Sequence, residues 1–219
     1  MRKILYSCFS LFLGLIMVTG CMYINPRGEF KDDDAVADYV DNLLNSQYSK
    51  YFEDLKLFCC EYGTNDDGVF NAIVYSEEEK YSFGTDYDIK NKKLYTTASR
   101  EYHYDAVYAD VKNTVEETMS FDNPVTEHYM LTINSEPSTE FIEDYDKFVT
   151  DKDTNIEIMM FFDKPISNTE ADQIQTLMHK LKDKQFKGSL KYNIDDNFSK
   201  EFDFNKTYET EEIKKCDQI

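Results

Sequence analysis

The stretch that decides the fold is Val36 to Leu55, VADYVDNLLNSQYSKYFEDL, with Lys56 to Tyr75, KLFCCEYGTNDDGVFNAIVY, directly behind it. In the first half Val36, Val40, Leu43, Leu44, Tyr48, Tyr51, Phe52 and Leu55 recur at steps of three and four. Asp38, Asp41, Asn45, Lys50 and Asp54 fill the other side. That period predicts an amphipathic helix of five turns, whose apolar stripe must be covered by a sheet or by another helix. The second half supplies the cover. Leu57–Tyr62 and Val69–Tyr75 are rich in β-branched and aromatic residues, and the turn formers Gly63 to Gly68 lie between them. Tyr81-Ser82-Phe83 and Leu94–Ala98 read as further strands. Residues 35–122 are therefore expected to form a helix-on-sheet subdomain.

Outward from there the pattern changes. Val107, Val111, Val115 and Met119 repeat at four and predict a helix over Asp105–Ser120, ended by Pro124. Thr126–Asn134 reads as a strand with Tyr129, Leu131 and Ile133 on one face, and Glu140–Val149 as a short helix. Asn155–Phe162 is apolar on both faces, as a central buried strand should be. Ser167-Asn168-Thr169-Glu170 is a capping box, in which the Ser hydroxyl and the Glu carboxylate each satisfy a backbone N–H. It opens a helix carrying Ile174, Leu177, Met178 and Leu181. Phe186–Ile194 and Phe198–Phe204, joined by Asp195-Asp196-Asn197, read as a hairpin. Residues 123–219 thus form a second α+β subdomain. The fold class is α+β, amphipathic helices packed on antiparallel sheet, arranged as two helix-plus-meander subdomains.

The N-terminus has a different character. Arg2 and Lys3 precede an uncharged, mostly apolar run, Ile4 to Val18, and Val18-Thr19-Gly20-Cys21 closes it. A positive leader, a short apolar segment and small residues before a cut are the parts of an export signal. The run is shorter than the roughly 20 residues a transmembrane helix needs. These residues resemble the bacterial lipoproteins, whose lipobox ends in a small residue and a Cys. The resemblance implies cleavage between Gly20 and Cys21, so that residues 1–20 are the signal peptide. It also implies acylation of Cys21 and a chain held at the extracytoplasmic face of the cell membrane by its lipid. Residues 21–34, with Pro26, Gly28 and the run Lys31 to Asp34, read as the tether. Lys outnumbers Arg 21 to 3, which resembles the usage of AT-rich, Firmicutes-like genomes.

Removal of residues 1–20 takes two basic and no acidic residues, which leaves 22 basic against 43 acidic and a net charge of −21. Such a surface repels nucleic acid, so no nucleic-acid partner is expected. The membrane, through the anchor, and a protein or cell-envelope ligand are the expected partners. The 33 Phe and Tyr residues supply a core despite the absence of Trp and argue against a disordered chain.

Few residues invite chemistry. With Cys8 in the leader and Cys21 lipidated, Cys59, Cys60 and Cys216 remain. Adjacent cysteines seldom pair with each other, but either can reach Cys216 as a disulfide; three reduced thiols are the other reading. His103, in a connection, His128, in a strand, and His179, near a helix end, show no ligand spacing. Asp151-Lys152-Asp153 begins like a calcium loop, but Ile156 and Phe162 stand where that loop needs Gly and Glu. No hydrolase, nucleotide or dinucleotide motif is present. No cofactor and no metal are expected. The tyrosines Tyr95, Tyr102, Tyr104 and Tyr108 are candidates to face a sugar or peptide, although Tyr also suits a half-buried sheet surface. The functional expectation is a membrane-anchored, non-catalytic binding or accessory module; the alternative is a lipid-anchored enzyme acting on cell-wall or peptide substrates. A solute-binding protein is disfavoured by size.

Overall fold

The computed structural model describes residues 25–76, 81–120, 129–162, 164–194 and 198–214. The residues read above as leader and lipobox, with the expected lipidation site Cys21, as well as His128 and Cys216, lie outside them. Cys59 and Cys60 fall within a strand, but their side chains are not among those described, so the choice between a disulfide to Cys216 and reduced thiols also lies outside the described residues.

Helix α1 (Asp33–Tyr48) is followed by strands β1 (Lys56–Thr64), β2 (Val69–Tyr75), β3 (Ser82–Asp88) and β4 (Lys93–Thr96). These pair in sequence order as an antiparallel meander. The carboxylate of Asp32 accepts from the Ala35 N–H at 3.0 Å to cap α1, and Asp33 and Asp34 follow in its first turn, where the helix dipole favours acids. Val36, Val40, Leu44 and Tyr48 are buried against Phe70, Val74, Phe83 and Leu94 to form the first core. The helix is shorter than the apolar stripe suggested. It closes at Tyr48, whose carbonyl accepts from both Tyr51 N and Phe52 N, and Asp54 turns the chain at φ 50°. Phe52 and Leu55 remain in the core because this tight turn, rather than further helix, delivers them there before β1 begins.

Residues 27–34, read above as part of the tether, are docked on the first subdomain. The Arg27 guanidinium grips the Asp33 carboxylate through two bonds of 2.8 and 2.9 Å. Asp33 Oδ1 also accepts from the Thr64 N–H and hydroxyl, which ties arm, helix and strand together. Phe30 packs on Tyr39 with ring centroids 5.4 Å apart.

Helix α2 (Ala98–Glu116) leaves the first sheet and enters a second core. Then come β5 (Tyr129–Ser135), α3 (Tyr145–Thr150), β6 (Thr154–Phe162), α4 (Asn168–Asp183), β7 (Gly188–Ile194), β8 (Phe198–Asp203) and α5 (Thr210–Lys214). The second sheet runs β5-β6-β7-β8 and departs from a meander in one pairing: β6 and β7 are parallel, because α4 carries the chain back across the sheet. Its capping box forms, with Glu170 N donating to Ser167 Oγ at 3.2 Å and Ser167 N to Glu170 Oε2 at 2.7 Å. Ile174, Leu177, Met178 and Leu181 are buried on Ile156, Ile158, Met160, Leu190 and Phe202. β6 is central, yet only one of its faces is fully covered; Met159 and Phe161 point to the open face and are half-buried.

Three further expectations are corrected. The strand over Leu94–Ala98 stops at Thr96, since α2 starts at Ala98. The helix expected from Asp105 begins seven residues earlier, so His103 is helical and not in a connection. The helix expected from Glu140 begins at Tyr145, because residues 138–144 run extended across α2 and Thr96 pairs with Ser138 through two backbone bonds of 2.9 Å.

Candidate functional site

The stripe on α2 is longer than its apolar members. Ser99, His103, Val107, Val111, Val115 and Met119 follow one another at steps of four and all are buried. Two polar residues extend it because one partner residue satisfies both. Ile142 N donates to Ser99 Oγ at 2.8 Å, and the Ile142 carbonyl lies 2.8 Å from His103 Nε2, which therefore carries a proton and donates to it. The ring stacks on Phe148 with centroids 4.7 Å apart and is only 4% exposed. Burial holds its pKa below the ordinary histidine value, against the opposing pull of the Ile142 carbonyl and the Asp144 charge. Nearby, Tyr145 donates to Asp110 at 3.1 Å, and burial together with that carboxylate pushes its pKa up.

The same segment drives an aromatic wedge into the first core. Phe141 stacks on Tyr51 at 4.0 Å and meets Tyr48, Phe52 and Tyr102 edge-on. Tyr51 hydroxyl donates to Glu143 at 2.9 Å, and the Lys50 ammonium sits 4.2 Å above the Tyr51 ring.

On the outer side of this seam is an open groove of about 370 Å³. Tyr51, Phe52 and Tyr81 form its apolar floor, and Glu101, Tyr102, Tyr104 and Asp105 of α2 form its far wall. Tyr102 and Tyr104 are 42% and 38% exposed, whereas Phe52 and Tyr81 are buried. The Tyr81 hydroxyl donates to the Glu53 carbonyl at 2.6 Å, and Glu101 Oε1 accepts from Ser82 N at 3.1 Å, so both walls are held in place.

Of the tyrosines singled out from the sequence, Tyr102 and Tyr104 line this groove. Tyr108 stacks behind Tyr104, with rings 6.3 Å apart and nearly parallel. Tyr95 is elsewhere, on the uncovered face of the first sheet, since it alternates with the buried Leu94 and Thr96. Tyr81 opens the Tyr-rich stretch that runs to Tyr108, whereas Tyr51, Phe52, Glu101 and Asp105 carry no signal of a site in the sequence: Tyr51 and Phe52 belong to the apolar stripe expected of the first helix. The turn after Tyr48 sets both at the groove, Tyr51 partly exposed and Phe52 buried beneath it.

A smaller, more enclosed hollow of about 190 Å³ lies on the other side of the seam, between Thr96, Ser99, Ser138, Lys147 and Asp153. It has hydroxyls but no histidine to activate one. Among the described residues, no three His, Cys, Asp or Glu side chains converge as a metal site would require. No helix among them is long and apolar enough to cross a membrane.

No protein family, no curated protein and no solved structure matches the chain. What the structure itself defines is an α+β protein of two helix-covered four-stranded sheets, joined by α2 and by the 138–145 segment.

Proposed function

We propose that this chain is an extracytoplasmic lipoprotein, anchored to the cell membrane through Cys21, whose folded region is a non-catalytic binding or accessory module. The single observation that carries the reading is the run from Arg2 to Cys21, with its positive leader, its short apolar segment and the Val18-Thr19-Gly20-Cys21 closure. Acyl chains on Cys21, at about 0.8 kcal/mol per buried methylene, suffice to hold a soluble domain at a bilayer. Cys21 precedes Arg27, which Asp33 holds, by six residues, and six residues span at most about 21 Å when fully extended, so the module sits close to the headgroups.

The binding half of the reading is supported by the groove, a concave, aromatic, rigidly held surface with polar groups at one wall. A lipid-anchored enzyme finds less support. His103, the buried histidine of α2, spends its Nε2 on the Ile142 carbonyl.

The test is fractionation of cells that produce the wild type and Cys21→Ala, with protease added to intact cells. The wild type should sediment with membranes and be digested from outside, and the variant should leave the membrane fraction. A wild type that stays in the cytosol, protected from protease, would overturn the reading.

A further inference from the structure

We propose that the groove between Phe52, Tyr81 and the outer wall of α2 receives a lysine or arginine side chain from a basic segment of a partner protein. This rests on the reading of the folded region as a binding module and names the chemistry of what it binds.

The exposed rings are those of the wall, Tyr102 and Tyr104, over a buried floor in which Phe52 and Tyr81 meet tilted with centroids 4.7 Å apart; Tyr102 stands edge-on to Phe52 at 6.2 Å. Aromatic faces attract cations through their quadrupole, and the guanidinium or ammonium stem gains apolar cover at the same time. The wall adds two carboxylates. Glu101 and Asp105 lie one turn apart on α2, a spacing at which like charges repel. No lysine, arginine or histidine forms an ion pair with either among the described residues, and none is part of the lining. A cation between the two carboxylates relieves that repulsion.

The chain shows the same chemistry closed upon itself at the neighbouring edge. Lys50 Nζ lies 4.2 Å over the Tyr51 ring and 3.8 Å from Glu143. There a lysine of the chain itself supplies the cation that the carboxylate and the tyrosine favour. In the groove exposed tyrosines and carboxylates again share one wall, and among the described residues no lysine or arginine forms an ion pair with Glu101 or Asp105.

The geometry favours a protein segment over a free amine. An open trough covers one side of a small cation and leaves the other in water, so useful affinity needs the flanking residues of a longer chain. The net charge of −19 steers a basic segment toward the surface and makes the encounter sensitive to salt.

The test uses the full-length protein in neutral detergent micelles and isothermal titration with an arginine–glycine octapeptide. Its counterpart has citrulline for each arginine, of the same shape but uncharged. The arginine peptide should bind, and the citrulline peptide should bind at least about tenfold more weakly, as expected when the cation–π and ion-pair attractions are lost. Tyr102→Ala and Asp105→Asn should each weaken the arginine peptide by about fivefold or more. Asp38→Asn, an exposed acid on α1 away from the groove, should change affinity less than about twofold. Asp105→Asn removes charge without a packing change and keeps the test sound should Tyr102→Ala perturb the seam. No binding of the arginine peptide, or equal binding of its citrulline counterpart, would overturn the proposal. An Asp38→Asn loss as large as that of Asp105→Asn would also overturn it, by reducing the effect to diffuse charge. Agmatine binding as tightly as the peptide would overturn the assignment to a protein partner. Micelles take the protein out of its cell, so a failure here leaves the Cys21 fractionation result standing, and a failure of anchoring leaves the peptide affinities unchanged.

Discussion

Gly188 is the position where a single methyl group should do most harm. It opens β7 beside Ile156 of the central strand with φ at 146°, a backbone state that side chains rarely adopt. A Cβ built there would lie 1.8 Å from the Ile156 carbonyl oxygen and 2.7 Å from its carbon. Neither atom belongs to a flexible side chain. The two strands would have to part by roughly an ångström, which strains the bonds from Ile156 N to the Lys187 carbonyl and from Phe204 N to the Gly188 carbonyl, both 2.9 Å. The unfavourable φ costs about 1–3 kcal/mol and the forced packing a similar amount. Gly188→Ala should therefore destabilise the protein by about 4 kcal/mol, a large share of the roughly 5–15 kcal/mol that holds a domain together. The control is Gly63→Ala in β1, where nothing lies within 4 Å of the added methyl and φ is not positive. That variant should stay within about 1 kcal/mol of wild type. Urea titrations followed by far-UV circular dichroism measure both. If Gly188→Ala unfolds within about 1 kcal/mol of wild type, the parallel register of β6 and β7 is wrong.

Other outcomes follow from the same structure. His103 is buried neutral with a lowered pKa, so its contribution is complete above the unfolded value of about 6.5 and declines as pH falls below it, by at most about 1.4 kcal/mol per pH unit. His103→Gln keeps a donor for Ile142 and should flatten that dependence between pH 7.5 and 5.5; an unchanged slope in urea midpoints argues against a buried neutral ring. Asp33 runs the opposite way: the Arg27 guanidinium holds its pKa at about 2, so the pair stabilises above the unfolded value of 3.8 and is lost as pH falls toward 2. Both partners are about one-third exposed, which trims the full shift to about 1 kcal/mol, and Arg27→Ala should show that loss at pH 7 but not at pH 2. Ser167→Ala removes the first half of the capping box and should cost about 1 kcal/mol by thermal unfolding. Leu177→Ala empties part of the second core and should cost about 2–5 kcal/mol.

The α+β class, the meander over α1 and the capped helix α4 were legible because each rests on local chemistry: a 3.6-residue period, turn formers and a Ser-x-x-Glu box. What was not legible depends on partners distant in sequence. Ser99 and His103 break an apolar pattern on paper but continue it in space, because Ile142 supplies the one donor and the one acceptor they need. The parallel pairing of β6 and β7 is set by the crossover of α4 and not by the composition of either strand. The docked arm that includes Arg27 and Phe30 carries no apolar period; these two hold it through Asp33 and Tyr39. The groove was half visible, in Tyr102 and Tyr104. Its floor was hidden because Tyr51 and Phe52 satisfy a helical stripe that the chain abandons at Tyr48, and nothing local sets Tyr81, at the start of the Tyr-rich stretch, against Phe52.

The central claim, a binding module held at the membrane by its lipidated first residue, is tested most directly by mass spectrometry of the N-terminal peptide of the protein recovered from cell membranes. The account expects the chain to begin at Cys21, with a diacylglyceryl group on the sulfur and residues 1–20 gone. A chain that begins at Met1, or one that begins at an unmodified Cys21, would contradict it.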